Sequence, residues 1–334
     1  MKRLPSIVIV TAPTRYQSLI ARWGTKGQAR FRMKQAAAHR IQTSSEQPQA
    51  TTSSTFAEAE FSVYESEEQQ YQATVDWVRS SLDLGYPLSM VDRRYLPNYE
   101  FRNAVVVVVI GPDGLVANTA KYVGNLPIIG VNPDPQRIDG VLLPFRAEQA
   151  KQVVESVIRE CADIVRVTLA EAVLNDGQRM LAFNDLFIGR RSHVSARYNL
   201  RCGQASESQS SSGVIVATGA GSTGWLSSVF NMTRGVSSWV GGRPIAPVRW
   251  DWDASMLAWV VREPFASRFS QAELVAGTLE QNDLLELESL MPEGGAIFSD
   301  GIESDYLEFN SGTTAIIKVA DQQAHLVIQG TRQV

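Results

Sequence analysis

Cysteine is scarce. Cys161 and Cys202 are the only two and lie far apart, which excludes a disulfide framework and fits a reducing, cytoplasmic setting. Histidine is nearly as rare: His39, His193 and His325 stand alone, and with neither H-E-x-x-H nor C-x-x-C there is no zinc motif. No G-x-S-x-G elbow is present, which removes the usual serine-hydrolase reading. No apolar stretch approaches the length of a membrane span, so no membrane association is expected. Excess positive charge is missing too. At a net charge of −4 no basic field draws nucleic acid, so a phosphate-bearing ligand has to be held by local donors.

What is there describes a soluble enzyme. With 334 residues the chain has room for about two domains at roughly 150 residues each. The opening Met1–Val10 has a basic start and an apolar run. That run breaks at Thr11-Ala-Pro-Thr-Arg15 without a small-residue cleavage site, so it reads as a first strand rather than a signal peptide. Tyr16–Ala38 is helix-compatible with a break near Gly24 and Gly27. Gln42–Thr55 is polar enough to be a mobile loop. Tyr71, Val75, Val78 and Leu82 have helical spacing inside Glu67–Leu84, and Leu88–Val91 is a short strand. The clearest element is Ala104–Ile110 (AVVVVVI), a β-branched run suited to a strand buried on both faces of a parallel sheet. A helix over Leu115–Val123 and a strand over Pro127–Val131 complete a βαβ unit. Gln149–Leu169 reads as a helix running into a strand. Beyond about residue 165, short strands recur between turn residues: Ala182–Ile188, Ala196–Arg201, Gly213–Ala217, Leu257–Val261, Leu284–Leu287, Ala296–Ser299, Thr314–Val319 and His325–Ile328. Their spacing predicts a β-sandwich or open barrel. Gly203–Ser212 (GQASESQSSS) reads as a hairpin loop.

Three clusters can carry chemistry. Gly111-Pro-Asp-Gly114 closes the long strand and opens a helix, where amides and the helix dipole favour phosphate. Asp113 there can accept a hydroxyl proton, although Pro-Asp-Gly is also ordinary turn chemistry. Thr218-Gly-Ala-Gly-Ser-Thr-Gly224 offers amides and hydroxyls to a ligand rich in acceptors, or is a flexible surface loop. It is neither a P-loop nor a Rossmann fingerprint. In Asn184-Asp185 the Asn can read an adenine edge and the Asp can bind ribose hydroxyls or a cation, or the pair simply forms a β-turn. Trp250-Asp-Trp-Asp253 admits sugar stacking or plain packing.

Taken in order, these pieces resemble the ATP-NAD kinase family. That family shows Gly-Gly-Asp-Gly after a hydrophobic strand; Gly111-Pro-Asp-Gly114 stands in its place. Ile128-Ile-Gly-Val-Asn-Pro-Asp-Pro135, followed by Gly140, and Arg262-Glu-Pro264 resemble the branch that includes the mitochondrial enzymes. Phe183-Asn-Asp-Leu-Phe-Ile-Gly189, Ser212–Trp225, Ser299-Asp-Gly301 and Glu308-Phe-Asn310 match the remaining motifs. The resemblance covers about residues 100 to 330 and leaves the first hundred without assigned chemistry.

It implies α/β plus all-β architecture. An α/β (Rossmann-like) nucleotide-binding domain would span 1–147 and a β-sandwich NAD-binding domain 148–305, with 306–334 returning to the first domain. It implies phosphoryl transfer from ATP to the 2′-hydroxyl of the adenosine ribose of NAD, with Mg²⁺ or another divalent cation whose ligands the motifs do not assign. Asp113 would be the base, and Gly111 and Gly114 would shape the ATP phosphate turn. Asn184, Asp185, Ser222, Thr223 and Gly224 would bind NAD, in a homodimer or homotetramer.

Three departures from the family pattern bear on activity. Pro112 replaces a glycine and removes an amide donor. Leu115 replaces a threonine. Ser195 stands where an arginine is common, with Arg197 close by. They open two alternatives: a weakly active or inactive NAD(P)-binding relative, or a kinase acting on another hydroxyl of a sugar or lipid.

Overall fold

The β-branched runs form strands of a parallel sheet. In the computed structural model, which describes residues 5–42, 50–243 and 245–330, the chain divides into two units. The first comprises Met1–Val116, Ile129–Ala162 and Gln329–Val334. In it β1 (Ser6–Thr11) lies between β2 (Leu88–Asp92) and β3 (Ala104–Ile110), parallel to both. Ile7–Val10 and Val106–Ile110 are buried, as two-sided burial of a parallel sheet requires.

Helix α1 (Arg15–Trp23) starts at a Thr14–Gln17 capping box and stops at Gly24, whose φ of 80° suits glycine. Helix α2 (Lys26–Gln42) follows, so the expected break near Gly24 and Gly27 is present. Of the expected loop Gln42–Thr55, residues 43–49 lie outside the described residues. Gln42 ends α2, and Ala50–Thr55 instead open the long helix α3 (Ala50–Ser81). Tyr71, Val75 and Val78 form its buried stripe, which Leu82 continues just past the helix end. The Tyr71 hydroxyl donates to Ile110 O at 2.9 Å and accepts from Ala12 N at 3.1 Å, tying together the carboxyl ends of β1 and β3. Burial pushes its ionisation up to about 12, so the phenol stays a donor.

Helix α4 (Asp113–Ala120), β4 (Pro127–Val131) and α5 (Ala150–Ile158) follow. Helix α4 starts two residues before the expected Leu115, because Asp113 and Gly114 already belong to its first turn.

The second unit comprises Ala117–Ile128 and Asp163–Ile328. One antiparallel layer holds β5 (Ile164–Leu174), β6 (Arg179–Ala182), β8 (Ala196–Cys202), β9 (Ala205–Ser211), β13 (Leu285–Ser289) and β16 (Thr314–Val327). The other holds, in spatial order, β12 (Ala276–Glu280), β11 (Met256–Val261), β10 (Val214–Ala217), β7 (Asp185–Arg190), β14 (Gly295–Ser299) and β15 (Tyr306–Glu308). Inward residues of both layers, among them Leu174, Ile188, Tyr198, Val216, Trp259, Leu287 and Ile317, make one core. This is a β-sandwich. Helix α6 (Trp225–Trp239) follows β10.

Three local expectations change. Gly203–Ser212 is not a loop: Gly203 and Gln204 make a tight turn and Ala205–Ser211 is β9, fully paired with β8. Its polar side chains hid it. Glu207, Gln209 and Ser211 are buried and find partners there: Glu207 accepts from the amides of Glu273 and Leu274, Gln209 Nε2 donates to Glu207 and to Leu274 O, and Ser211 bonds Tyr198. Ala182–Ile188 splits into β6 and β7 at Phe183-Asn184. The last two expected strands are one, β16, irregular between Val319 and Gln323.

Candidate functional site

In the first unit, β3 delivers Gly111-Pro-Asp-Gly114 to the start of α4. A Cβ on Gly111 would sit 2.7 Å from Leu115 Cδ2, whereas one on Gly114 would meet nothing within 4 Å. Gly111 is therefore glycine for packing beneath the turn, and Gly114 leaves open space above it. Leu115 is 1% exposed, an apolar plug under the turn. Pro112 is exposed and its carbonyl accepts from Leu115 N at 2.8 Å. Asp113 is half-buried. Its Oδ1 accepts from Leu142 N at 2.6 Å, and no described residue donates to Oδ2. One oxygen is anchored and the other can take a proton or a ligand.

In the second unit, Asp300 organises the Asn184-Asp185 turn from a backbone φ of 54°. Its carboxylate accepts from Phe183 N (3.1 Å), Asn184 N (2.6 Å) and, at longer range, Asp185 N (3.4 Å). Asp300 N returns a bond to Asp185 O at 3.0 Å. Lys121 Nζ lies 3.8 Å from Asp300 Oδ2 and donates to Ser299 Oγ at 2.8 Å, all buried. Burial pushes the Asp300 carboxyl up, opposed by Lys121 and those amides.

Asp185 is 7% exposed, and no described residue donates a hydrogen bond to its carboxylate. Burial first, and then the negative charge of Asp300, push its carboxyl up to about 7. A nearly buried acid without a donor is costly to keep, and such groups concentrate at functional sites. The half-buried Asn184 carboxamide likewise has no hydrogen-bond partner among the described residues.

The glycine-rich turn packs directly on this pair. Thr218 Oγ1 donates to Phe183 O at 2.6 Å and accepts from Gly221 N at 3.1 Å, while Thr218 N donates to Asn184 O at 2.9 Å. A Cβ on Gly221 would fall on the Asn184 carbonyl oxygen, and one on Gly219 on that of Asp251. These glycines permit backbone-to-backbone contact.

Asn184, Asp185 and the 218–224 turn, separate in sequence, are thus one cluster. Within it Ser222 is buried, with its hydroxyl donating to Gly219 O at 2.7 Å. Thr223 and Gly224 are exposed. Trp225 stacks on Phe187, ring centroids 5.6 Å apart, and Arg262 lies 5.3 Å from the Trp225 centroid. Trp250 packs against the small cluster of Ala217, Leu226 and Ala258, which favours its packing reading.

Sequence reasoning named the Ser299-Asp-Gly301 motif but not the task of Asp300, and it missed Lys121. The available signal was a lone cation in the apolar stretch 115–123.

The sequence matches no family model and no curated protein. Solved structures share the fold. Yeast NADH kinase complexed with NADH superposes with a TM-score of 0.51 at 15% identity, covering 98% of this chain and 84% of that one. An NAD kinase from Archaeoglobus fulgidus in complex with ATP gives 0.52 at 17% identity, covering 77% and 90%. At such identities the likeness is one of fold: an amino-terminal α/β part and a β-sandwich, as in NAD kinases.

Proposed function

We propose that this protein is an ATP-dependent NAD kinase that transfers the γ-phosphate of ATP to the 2′-hydroxyl of the adenosine ribose of NAD. The observation that carries the reading is Asp113, at the carboxyl end of a buried parallel strand and the first turn of α4, with Oδ1 anchored on Leu142 N and Oδ2 open. In open α/β sheets ligands bind at such strand ends. In the reaction Oδ2 accepts the hydroxyl proton as the ribose oxygen forms its bond to the γ-phosphorus and the bond to the ADP oxygen breaks.

Asp185 and Asn184 would take the dinucleotide's hydroxyl and amide donors, which explains why both stand without donors of their own. No group of three or more His, Cys, Asp or Glu side chains placed to hold a metal exists among the described residues. Magnesium would arrive as part of the phosphate-bound substrate. No helix of the described residues is long and apolar enough to cross a membrane. The run Ile128–Pro135 and Arg262-Glu-Pro264 support the branch that includes the mitochondrial enzymes. The exposed apolar face of α6, with Met232, Val236 and Trp239, and Val240 just past its end, supports a homodimer or homotetramer.

A second reading, binding with little turnover, is favoured by Pro112, which brings no amide to the phosphate turn, and by the buried Leu115 in place of a hydroxyl. The test is NADP formation from ATP, magnesium and NAD by the purified protein, with the product's phosphate located on the adenosine ribose. Tight NAD binding without NADP selects the second reading.

A further inference from the structure

The proposed base is held by a loop whose side chains touch none of the reacting groups named above. Residues 132–142 leave β4 and return to Leu142, and the interior of this loop is filled by one polar side chain. Asn132 is 7% exposed. Its Nδ2 donates to Ile138 O at 2.9 Å and its Oδ1 accepts from Asp134 N at 3.0 Å, so the carboxamide bridges the loop from inside. Its backbone N donates to Phe145 O at 2.8 Å, and Phe145 N donates to Gly130 O at 3.3 Å, closing the base of the loop against β4.

Gly140, at φ 67°, rests on the Asn132 amide: a Cβ there would come within 2.6 Å of Nδ2. Leu143 N donates to Gly140 O at 3.1 Å, which turns the chain so that Leu142 presents its peptide. That peptide is clamped on both sides. A Cβ on Gly130 would fall on the Leu142 carbonyl oxygen, and the Leu142 N–H donates to Asp113 Oδ1 at 2.6 Å. The loop is also fastened from α3, where Thr74 donates to Pro133 O at 3.3 Å.

We propose that Asn132 is a positioning residue for Asp113: its carboxamide braces the 132–142 loop so that the Leu142 amide fixes Oδ1 and leaves Oδ2 aimed for proton transfer. The inference rests on the kinase reading above for its catalytic consequence but not for the brace itself. An isosteric loss should disturb alignment rather than substrate binding, and misalignment of about 1 Å can cost on the order of a hundredfold in rate.

The variants are Asn132→Asp, which keeps the acceptor for Asp134 N and loses the donor to Ile138 O, and Gly140→Ala, which pushes on the same carboxamide from the other side. Asp113→Ala removes the acceptor. Two readouts are needed: hydrogen exchange of the Leu142 amide in the full chain, and kcat and KM for ATP and NAD. Leu142 protection should fall at least tenfold in all three while amides of β3 keep theirs. In the two loop variants kcat should fall about tenfold or more, with both KM values within about threefold of wild type.

Unchanged Leu142 protection in folded Asn132→Asp and Gly140→Ala would overturn the brace, and so would a raised KM with unchanged kcat. If the wild type makes no NADP, the kinase reading falls separately. The exchange measurement alone then decides: selective loss at Leu142 in the loop variants upholds the brace, and retained protection refutes it.

Discussion

Replacing Asp185 with asparagine should stabilise the ligand-free protein, and by an amount that depends on pH. In the unfolded chain Asp185 loses its proton near the ordinary value of 3.8, whereas in the fold it holds it up to about 7. Between those values the folded protein binds one proton more than the unfolded chain. Stability therefore falls as pH rises, by about 1.4 kcal/mol per pH unit. The full penalty, up to about 4 kcal/mol, is reached by about pH 7 and stays constant above it. Below about pH 4 both states are protonated and the penalty vanishes.

Two features of the structure set the size: a carboxyl 7% exposed, and Asp300 adding negative charge where no donor compensates. The substituted carboxamide cannot ionise, so the difference in stability between Asp185→Asn and wild type should grow from near zero at pH 4 to several kcal/mol at pH 8. Urea unfolding at matched ionic strength between pH 4 and 8 reads this directly as midpoint shifts at constant m-value. A difference that stays flat across that range, or a variant less stable than wild type at pH 8, would refute the argument that Asp185 is a strained acid kept for a ligand.

Asn184→Ala should weaken NAD binding by about 1–3 kcal/mol, the cost of an unmatched polar partner, while ATP binding stays nearly constant; calorimetry showing equal NAD affinity would remove Asn184 from the site. Gly221→Ala places a Cβ on the Asn184 carbonyl oxygen and should lower stability by about 1–3 kcal/mol, along with NAD affinity; an unaffected melting temperature would mean the turn relaxes freely. Pro112→Gly should raise turnover by restoring an amide, a bond worth about 1.5–3 kcal/mol when charge-assisted, and steady-state kinetics that fall instead would show a turn adapted to proline. Adding Leu115→Thr puts a hydroxyl into a position 1% exposed and should cost about 2–4 kcal/mol of stability, measurable by urea titration.

The legible parts of this fold are those in which a residue's own chemistry decides its structure. Ala104–Ile110 could only be a doubly buried strand, and the glycine break between α1 and α2 lies where Gly24 permits positive φ. The strand β9 was hidden because its inward positions, Glu207, Gln209 and Ser211, are polar and become acceptable only through partners as distant as Leu274 and Tyr198. The same limit governs the site. Gly111-Pro-Asp-Gly114 is contiguous and readable, but the link from Asp113 to Leu142 spans 29 residues and that from Asp300 to Asn184 spans 116. Lys121 meets Ser299 across 178. Nor can a sequence show that the Ser222 hydroxyl turns back to Gly219, or that Gly219 and Gly221 are glycine because carbonyls of Asp251 and Asn184 press on them.

NADP formation by wild type and Asp113→Asn, with NAD affinity measured for both, decides whether Asp113 is the base of an NAD kinase. The substitution keeps the shape and an acceptor for Leu142 N but removes the base. Wild type should turn over measurably, the variant should lose on the order of a hundredfold or more in kcat, and NAD affinity should change far less. Near-normal turnover of Asp113→Asn beside an active wild type would contradict the assignment of Asp113 as the base.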